Sequence, residues 1–311
     1  MLRTNLICLM FAAAGGSAIA APPKLPDGFK AVNDLAYADT DNPRQKLNLY
    51  VPREKPAEPL PIVVYIHGGG WEGGNKDAAE VLAPFLTDGR FAAASVGYRL
   101  TNEAHWPDQI HDCKAALRWI AAHGAEYGID TSRIALFGIS AGGHLVSLLG
   151  TTIADPALEG SIGSKVDSPV RVRCVANFCG PANFLTFESQ GSQISGERPG
   201  PVTKLFNGRV SENQDAAKAA SPELHVSNDD PPFLHIHGTK DPLVPYVQAI
   251  EFDKALDSAG VSSTLLTGEG GNHVFRSKEL MDTINRFFDR HLLGKDVAIE
   301  QGPVAISDES K

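Results

Sequence analysis

The chain has 311 residues, of which 42% are hydrophobic and 21% charged, and its formal net charge is −9 at pH 7. This length can bury a large core as one α/β domain or two smaller ones, and the composition argues against a disordered chain or a coiled coil. The acidic balance argues against nucleic acid as a partner, because phosphate binding needs clustered Lys and Arg side chains.

Residues 1–20 have the pattern of a secretory signal peptide. Arg3 precedes an apolar run at 6–14, and small residues follow up to Ala20. This order predicts cleavage after Ala20 and a secreted or periplasmic protein, with a buried N-terminal helix as the alternative. No other run approaches the roughly 20 apolar residues that a membrane span needs, so we expect no membrane span.

Short apolar runs alternate along the rest of the chain with segments of helical period. The apolar runs predict strands at 46–51, 62–67, 91–98, 133–138, 172–178, 233–238 and 263–268. The helical period predicts helices near 77–88, 108–123, 141–150, 245–259 and 277–292. Such alternation predicts a doubly wound α/β fold, in which helices cover both faces of a mostly parallel sheet.

A single domain at 30–294 accommodates all these elements. The Pro-rich segment 21–29 precedes it as a linker, and the polar, acidic segment 295–311 follows it as a solvated tail. Between 181 and 230 the pattern breaks into Gly, Ser, Asn and Pro. An irregular insertion of this length is either disordered or functional, for example as a lid or a substrate-binding segment.

The glycine loop His67-Gly68-Gly69-Gly70-Trp71 follows the second predicted strand and fits two kinds of site. With Gly73 it matches G-x-G-x-x-G, but a dinucleotide site needs an acidic residue at the end of the next strand. The strand 91–98 ends in Gly97-Tyr98 and Arg99 follows it, which disfavours that site. Glycines also let backbone N–H groups approach a developing negative charge, so the loop predicts an oxyanion hole.

The segment Gly138-Ile139-Ser140-Ala141-Gly142 follows the strand 133–138 and opens a predicted helix. It matches G-x-S-x-G, the nucleophile elbow, in which small neighbours allow the strained serine backbone. The motif predicts Ser140 as the nucleophile and the first N–H groups of the helix as anion donors.

A serine nucleophile needs a base, and the base needs a carboxylate that fixes its tautomer. In elbow enzymes these residues follow the serine in the order acid, then histidine. Asp241 and His273 follow the last two predicted strands, so they lie at the edge of the sheet where a crevice forms. Asp230 is the alternative acid, whereas Asp112 precedes Ser140 and fits a structural role.

The motifs HGGGW, GISAGG, HGTKDPLVP and NHVF together resemble the esterase/lipase branch of the α/β-hydrolase superfamily. They are most similar to the family related to bifunctional feruloyl and acetyl-xylan esterases, and the resemblance covers 30–293. It implies a serine esterase without cofactor or metal, acting through an acyl-enzyme on acetyl or feruloyl esters of plant polysaccharides. The implied residues are the triad Ser140, Asp241 and His273 and the oxyanion donors Gly69, Gly70 and Ala141.

Other interpretations stay open from the sequence. A peptidase of the prolyl-oligopeptidase type uses the same triad, and a catalytically silent binding protein is also compatible with the fold. His235 and His237 share one face of a strand and would suit zinc together with Asp241 or His273, or they pack near the site.

Several further residues have expected roles outside the triad. Trp71 is expected to wall a substrate pocket or pack beneath its loop, and His144 to line a substrate cleft or the core. Cys174 and Cys179 either form a disulfide or stay as buried thiols. The sequence gives no oligomeric state.

Overall fold

The computed structural model describes residues 23–165, 170–195, 199–275 and 277–306. The predicted signal peptide, at 1–20, lies outside these residues. Among the helices that the structure describes, none is both long and apolar enough to cross a membrane.

The described chain forms a nine-stranded sheet in the order β1-β2-β4-β3-β5-β6-β7-β8-β9. Strands β3 to β9 run parallel, and β2 is antiparallel to both β1 and β4. The strands are β1 Phe29–Ala36, β2 Lys46–Pro52, β3 Leu60–Ile66, β4 Ala92–Val96, β5 Ile129–Ile139, β6 Val172–Phe178, β7 Phe233–Gly238, β8 Ser263–Gly268 and β9 Gly302–Val304.

The central strands are apolar on both faces because helices cover both sides of the sheet. In β3, Val64 packs into one hydrophobic core while Val63 and Tyr65 pack into the other. This alternation follows from the strand period of two residues. The apolar runs of the sequence therefore correspond to strands that are buried on both faces, as in other parallel sheets.

The long helices α2, α3 and α7 pack on one face of the sheet, and α8 packs on the other. On α2 the predicted apolar side is confirmed, since Ile110, Leu117 and Ile120 are all fully buried. The helices are α1 Ala83–Leu86, α2 Asp108–His123, α3 Ala141–Thr152, α4 Phe184–Phe187, α5 Pro201–Leu205, α6 Gln214–Ala219, α7 Val247–Ser258 and α8 Lys278–Leu293. Short 3₁₀ turns lie at Glu80–Leu82, Gly124–Tyr127, Pro156–Leu158, Val210–Glu212 and Pro222–His225.

The order of strands creates a topological switch point at the carboxyl ends of β3 and β5. Strand β3 lies between β4 and β5, so the chain leaves it towards one side of the sheet and later continues on the other. Ligands of open α/β sheets bind at this kind of switch point. The loops after β3, β5, β7 and β8 all open at the same edge, which positions the predicted site.

The two edge strands of the sheet, β1 and β9, were not predicted. Strand β1 is mostly exposed and is interrupted between Val32 and Leu35, where its register with β2 shifts, so its sequence lacks an alternating pattern. Strand β9 spans only Gly302–Val304, and Val304 is buried against the core. The prediction of a solvated tail at 295–311 is therefore wrong for this segment.

The predicted helix at 77–88 is mostly irregular. Only Ala83–Leu86 is α-helical, and a 3₁₀ turn precedes it. Pro84 explains why no α-helix runs from 77 through this position. Proline is accepted only in the first turn of a helix, where its missing N–H is not needed, so the helix begins at Ala83.

The insertion at 181–230 is irregular, as predicted, and its described residues are well packed. It contains the short helices α4, α5 and α6, and three of its aromatic side chains are buried in the core beside the site: Phe184, Phe187 and Phe206.

Candidate active site

The turn between β5 and α3 has the geometry of a nucleophile elbow. Ser140 has φ 58° and ψ −121°, a left-handed conformation that a non-glycine residue rarely adopts. A Cβ atom on Gly138 would overlap the carbonyl of Gly142, and one on Gly142 would overlap the carbonyl of Ile66. The tight packing of these backbones explains why both flanking positions are glycine and holds Ser140 at the strand end.

The structure brings the three predicted triad residues into one hydrogen-bonded chain. His273 Nε2 lies 2.8 Å from Ser140 Oγ, and His273 Nδ1 lies 2.7 Å from Asp241 Oδ2. In the neutral imidazole the Nδ1–H donates to the carboxylate and the serine hydroxyl donates to Nε2. This arrangement lets His273 accept the proton of Ser140 when the oxygen attacks.

Backbone and side-chain donors hold the Asp241 carboxylate. Its Oδ1 accepts from the N–H groups of Leu243 and Val244, at 2.9 and 3.0 Å, and His237 Nε2 lies 3.1 Å from Oδ2. Burial alone would raise the pKa of Asp241, but the hydrogen bonds from His237 and His273 lower it well below its usual range. The carboxylate therefore stays ionised beside the base.

The pKa of His273 is raised above its usual range. Burial acts in the opposite direction, but the neighbouring Cys179 and Asp241 outweigh it. Of these two, the Asp241 carboxylate acts at neutral pH, because burial raises the pKa of the Cys179 thiol and keeps it uncharged.

The predicted oxyanion loop lies directly against the elbow. A Cβ atom on Gly68 would be 2.6 Å from the carbonyl oxygen of Ile139 and 3.3 Å from Ser140 Cβ. Gly69 and Gly70 have φ values of 117° and 61°, so the loop needs glycine at both positions. Within the described part of the chain, the N–H groups of these two glycines donate no hydrogen bond.

Ala141 completes this group of donors. It is the first residue of α3, so its N–H has no acceptor within the helix. All three predicted oxyanion donors thus lie in the two segments that meet at Ser140, and their use by an oxyanion stays a prediction.

The alternative use of the glycine loop does not fit the structure. A dinucleotide turn opens a helix whose N-terminus binds the pyrophosphate. Here the N–H of Gly73 bonds back to the carbonyl of Gly69 at 2.9 Å, and the next helix, α1, begins only at Ala83.

Trp71 and His144, predicted to contact substrate, are buried instead. Their side chains are 1% and 0% exposed, and the indole N–H of Trp71 donates to His144 Nδ1 at 3.2 Å. The prediction that they bind substrate is wrong for this conformation, because neither offers an accessible surface. Trp71 packs beneath its loop, which was the alternative expected for it.

Zinc binding by His235 and His237, one of the two interpretations open from the sequence, does not fit the structure. His235 stacks on Phe233, and His237 bonds to the carbonyl of Val244 at 2.8 Å. Among the described residues, one group of potential metal ligands lies close together, namely Cys179, Asp241 and His273. It contains neither His235 nor His237.

The remaining candidates lie apart from the triad. Asp112 pairs with Arg99, whose Nε is 2.9 Å from its Oδ2, and Asp230 bonds to Ser227. Of the two alternatives left open for Cys174 and Cys179, the structure shows buried free thiols and no disulfide between them.

Two residues at the site were not assigned to the triad by sequence reasoning. His237 shares the Oδ2 atom of Asp241 with His273, and Cys179 Sγ lies 3.9 Å from His273 Nε2. For His237 the sequence signal was the strand face that it shares with His235, and the interpretation that it packs near the site is confirmed. For Cys179 there was no local signal, because its contact with His273 spans 94 residues.

A mostly parallel sheet that carries a strained serine, a following acid and a following histidine at the strand ends defines an α/β hydrolase. The profile of one family, BD-FAE, matches residues 47–256. The chain therefore belongs to the BD-FAE family of α/β-hydrolase esterases.

Carboxylic ester hydrolases are prominent among the similar proteins. Esterase LipQ of Mycobacterium tuberculosis is 28% identical over 263 residues, which cover 81% of this chain and 60% of LipQ. The probable carboxylic ester hydrolase LipM of the same organism is 35% identical over 193 residues, covering 62% of this chain and 44% of LipM. The chain thus spans about half of the length of these two relatives.

Solved structures extend the likeness to the whole domain. A truncated carbohydrate esterase from gut microbiota superposes with a TM-score of 0.76 at 28% identity, covering 88% of this chain and 99% of the other. Esterase 2 of Thermogutta terrifontis, phosphonylated by sarin, superposes with a TM-score of 0.68 at 25% identity, covering 89% and 99%.

Proposed function

We propose that this protein is a serine esterase that hydrolyses carboxylic esters. The observation that carries the proposal is the hydrogen-bonded chain Ser140, His273 and Asp241, with contacts of 2.8 and 2.7 Å. It lies against the glycine loop, where two N–H groups donate to no other described residue. Its homology to carboxylic ester hydrolases supports the same reaction.

The geometry gives each residue of the triad a step. Ser140 Oγ attacks the ester carbonyl while His273 Nε2 takes its proton, and the N–H groups of Gly69, Gly70 and Ala141 stabilise the oxyanion. His273 returns the proton to the departing alcohol, which leaves an acyl ester on Ser140. A water molecule then attacks this ester with His273 as base, and the carboxylic acid is released.

The proposed substrates are acetyl or feruloyl esters of plant polysaccharides. Support comes from the family and from the matched carbohydrate esterase. A second structural match, a bifunctional GH43-CE of Bacteroides eggerthii, superposes with a TM-score of 0.75 at 32% identity over 84% of this chain and 35% of the other. We also propose that the protein is exported to the periplasm or the medium, on the basis of the signal-peptide pattern at 1–20.

Ser140→Ala tests the reaction. On p-nitrophenyl acetate, acetylated xylan and methyl ferulate, we expect kcat to fall about 10⁴-fold or more, because the hydroxyl is the nucleophile. The variant should have the melting temperature of the wild type, and a fluorophosphonate probe should label the wild type but not the variant. Ester hydrolysis that survives in Ser140→Ala would contradict the proposal. If the wild type cleaves peptide substrates but not ester substrates, the peptidase is favoured instead.

Export has a separate test. When the full chain is expressed in a Gram-negative host, we expect to find the protein outside the cytoplasm, with Ala21 as its N-terminal residue. A product that retains residues 1–20 in the cytoplasm would remove export from the proposal without affecting the esterase chemistry.

A further inference from the structure

His144 connects three segments of the chain at the site. It lies one helical turn after the nucleophile, and its backbone N–H donates to the carbonyl of Ser140 at 2.9 Å. Its ring contacts the indole of Trp71 through Nδ1, at 3.2 Å, and the carbonyl of Ala220 in the insertion through Nε2, at 2.7 Å. Phe184 packs edge-on against the ring at 5.0 Å.

Its two partners fix the tautomer of His144. An indole N–H only donates and a backbone carbonyl only accepts, so Nδ1 is the unprotonated acceptor and Nε2 carries the hydrogen. The ring is fully buried, and burial lowers its pKa to about 4 despite the carbonyl of Ala220. A neutral imidazole of one defined tautomer therefore sits between the loop and the insertion.

Trp71 is the residue through which this ring reaches the oxyanion loop. It follows Gly70 directly and has φ 58°, a left-handed conformation that is unfavourable for a bulky residue. Such a conformation persists only when its surroundings hold it. Besides the indole bond, its carbonyl accepts from the N–H of Thr101 at 2.9 Å.

We propose that His144 is a positioning residue that fixes the oxyanion loop relative to the nucleophile. The backbone of His144 is bonded to Ser140 and its side chain is bonded to Trp71, so a single residue sets the distance between the attacking oxygen and the glycine amides. The bond to Ala220 fixes the tautomer in which Nδ1 accepts from Trp71. This proposal rests on the proposed esterase function for its kinetic consequences, but not for its structural ones.

The kinetic consequence is a selective loss in the chemical step. Oxyanion donors act because they are oriented before the charge develops, so a loosened loop weakens the transition state more than the bound substrate. We therefore expect kcat to fall and KM to change little when the bond between Trp71 and His144 is removed.

Isosteric variants separate the two arms of the ring. In His144→Asn the amide oxygen takes the position of Nδ1 and keeps the acceptor for Trp71, whereas in His144→Gln the amide takes the position of Nε2 and keeps the donor to Ala220. Trp71→Phe keeps most of the packing and removes the indole N–H. Ser147→Ala, at a buried position on the same helix, is the control for a general disturbance of α3.

We expect His144→Gln and Trp71→Phe to lower kcat about 10- to 100-fold with KM within about 3-fold, the size of one weakened oxyanion donor. His144→Asn and Ser147→Ala should stay within about 5-fold of wild type. The double variant Trp71→Phe/His144→Gln should lose no more than either single variant, because both remove one bond. Equal losses in His144→Asn and His144→Gln would overturn the proposal.

Hydrogen exchange provides a readout that does not need activity. Amides in the peptide 63–76 should exchange faster in His144→Gln and Trp71→Phe than in wild type, and at the wild-type rate in His144→Asn. Unchanged exchange in all variants would overturn the positioning role even if the protein is an esterase. Faster exchange in a protein without ester hydrolysis would overturn the proposed function alone.

Discussion

The nucleophile elbow and the glycine loop both use left-handed backbone, but different interactions hold them. At the elbow, the N–H of Ser140 donates to the carbonyl of Phe178 at 2.8 Å, and the flanking glycines pack directly against backbone. The glycine loop has backbone bonds too, but side chains from elsewhere add to its support: the indole of Trp71 donates to His144, and the hydroxyl of Tyr98 donates to the carbonyl of His67 at 3.0 Å.

The comparison shows that two halves of one site are specified differently. The elbow is specified by a contiguous motif, because its backbone packing needs only small residues at fixed positions. The loop also has a contiguous glycine motif, but its support depends in addition on pairs of side chains that are 31 and 73 residues apart in the chain. We expect substitutions where backbone packs on backbone to cause large losses of activity or stability, and substitutions of the supporting side chains to cause smaller losses.

After the loss of Ser140 itself, the largest effect is expected at Asp241, whose carboxylate is also held by backbone amides. Asp241→Asn should lower kcat about 10³- to 10⁴-fold, because the imidazole loses its charge partner and its tautomer. The carboxylate raises the pKa of His273, so its removal should move the acid limb of the kcat/KM profile to lower pH. A limb that moves to higher pH would contradict this role for Asp241.

A glycine pair compares a tightly packed position of the elbow with an open position of the glycine loop. Gly142→Ala should lower the free energy of unfolding by about 3 kcal/mol or more, because its Cβ would overlap the carbonyl of Ile66. Gly73→Ala in the glycine loop should be nearly neutral, because its Cβ would have its nearest neighbour at 3.6 Å. Urea unfolding measures both, and equal losses would remove the distinction between the two regions.

Acid should weaken the fold through the histidines beside the glycine loop. Burial lowers the pKa values of His67 and His144 to about 4, whereas the unfolded values are near 6.5. Between these values the unfolded chain binds more protons, so stability should fall with decreasing pH by up to about 1.4 kcal/mol per pH unit and histidine. Urea titrations from pH 7 to 5 should show a smaller slope in His144→Asn, and an unchanged slope would show that His144 is not buried neutral.

The smallest effect is expected at Tyr98. Tyr98→Phe removes the bond to the carbonyl of His67 and should cost about 1 kcal/mol of stability and about 5-fold in kcat. The matched control is Tyr37→Phe, because Tyr37 is also buried and donates to a backbone carbonyl, that of Gly97, at 2.9 Å. A similar loss of stability with unchanged kcat is expected there, and a kcat effect of the same size in both would place Tyr98 outside the loop support.

The parts of the structure that follow from local pattern were predictable. The seven interior strands and the long helices were found because their apolar residues recur with the period of the element. The triad was found because the elbow has a fixed local geometry and the strand ends converge at one edge of a parallel sheet.

The parts that depend on distant contacts were not predictable. The edge strand β9 is a strand only because it pairs with β8, and its three residues carry no period of their own. Trp71 and His144 were interpreted as substrate contacts because both belong to motifs at the site. The insertion contributes to their burial, because its Ala220 and Phe184 contact His144 from 76 and 40 positions further along the chain.

Strand β9 also matters for how the protein can be shortened or tagged. It occupies the hydrogen-bonding groups of β8, which would otherwise form the outer border of the sheet. An exposed edge strand of this kind can form backbone hydrogen bonds with strands of other molecules. A truncation at 295 would therefore produce a protein that aggregates through the exposed β8, whereas a fusion placed beyond 306 leaves β9 paired with β8.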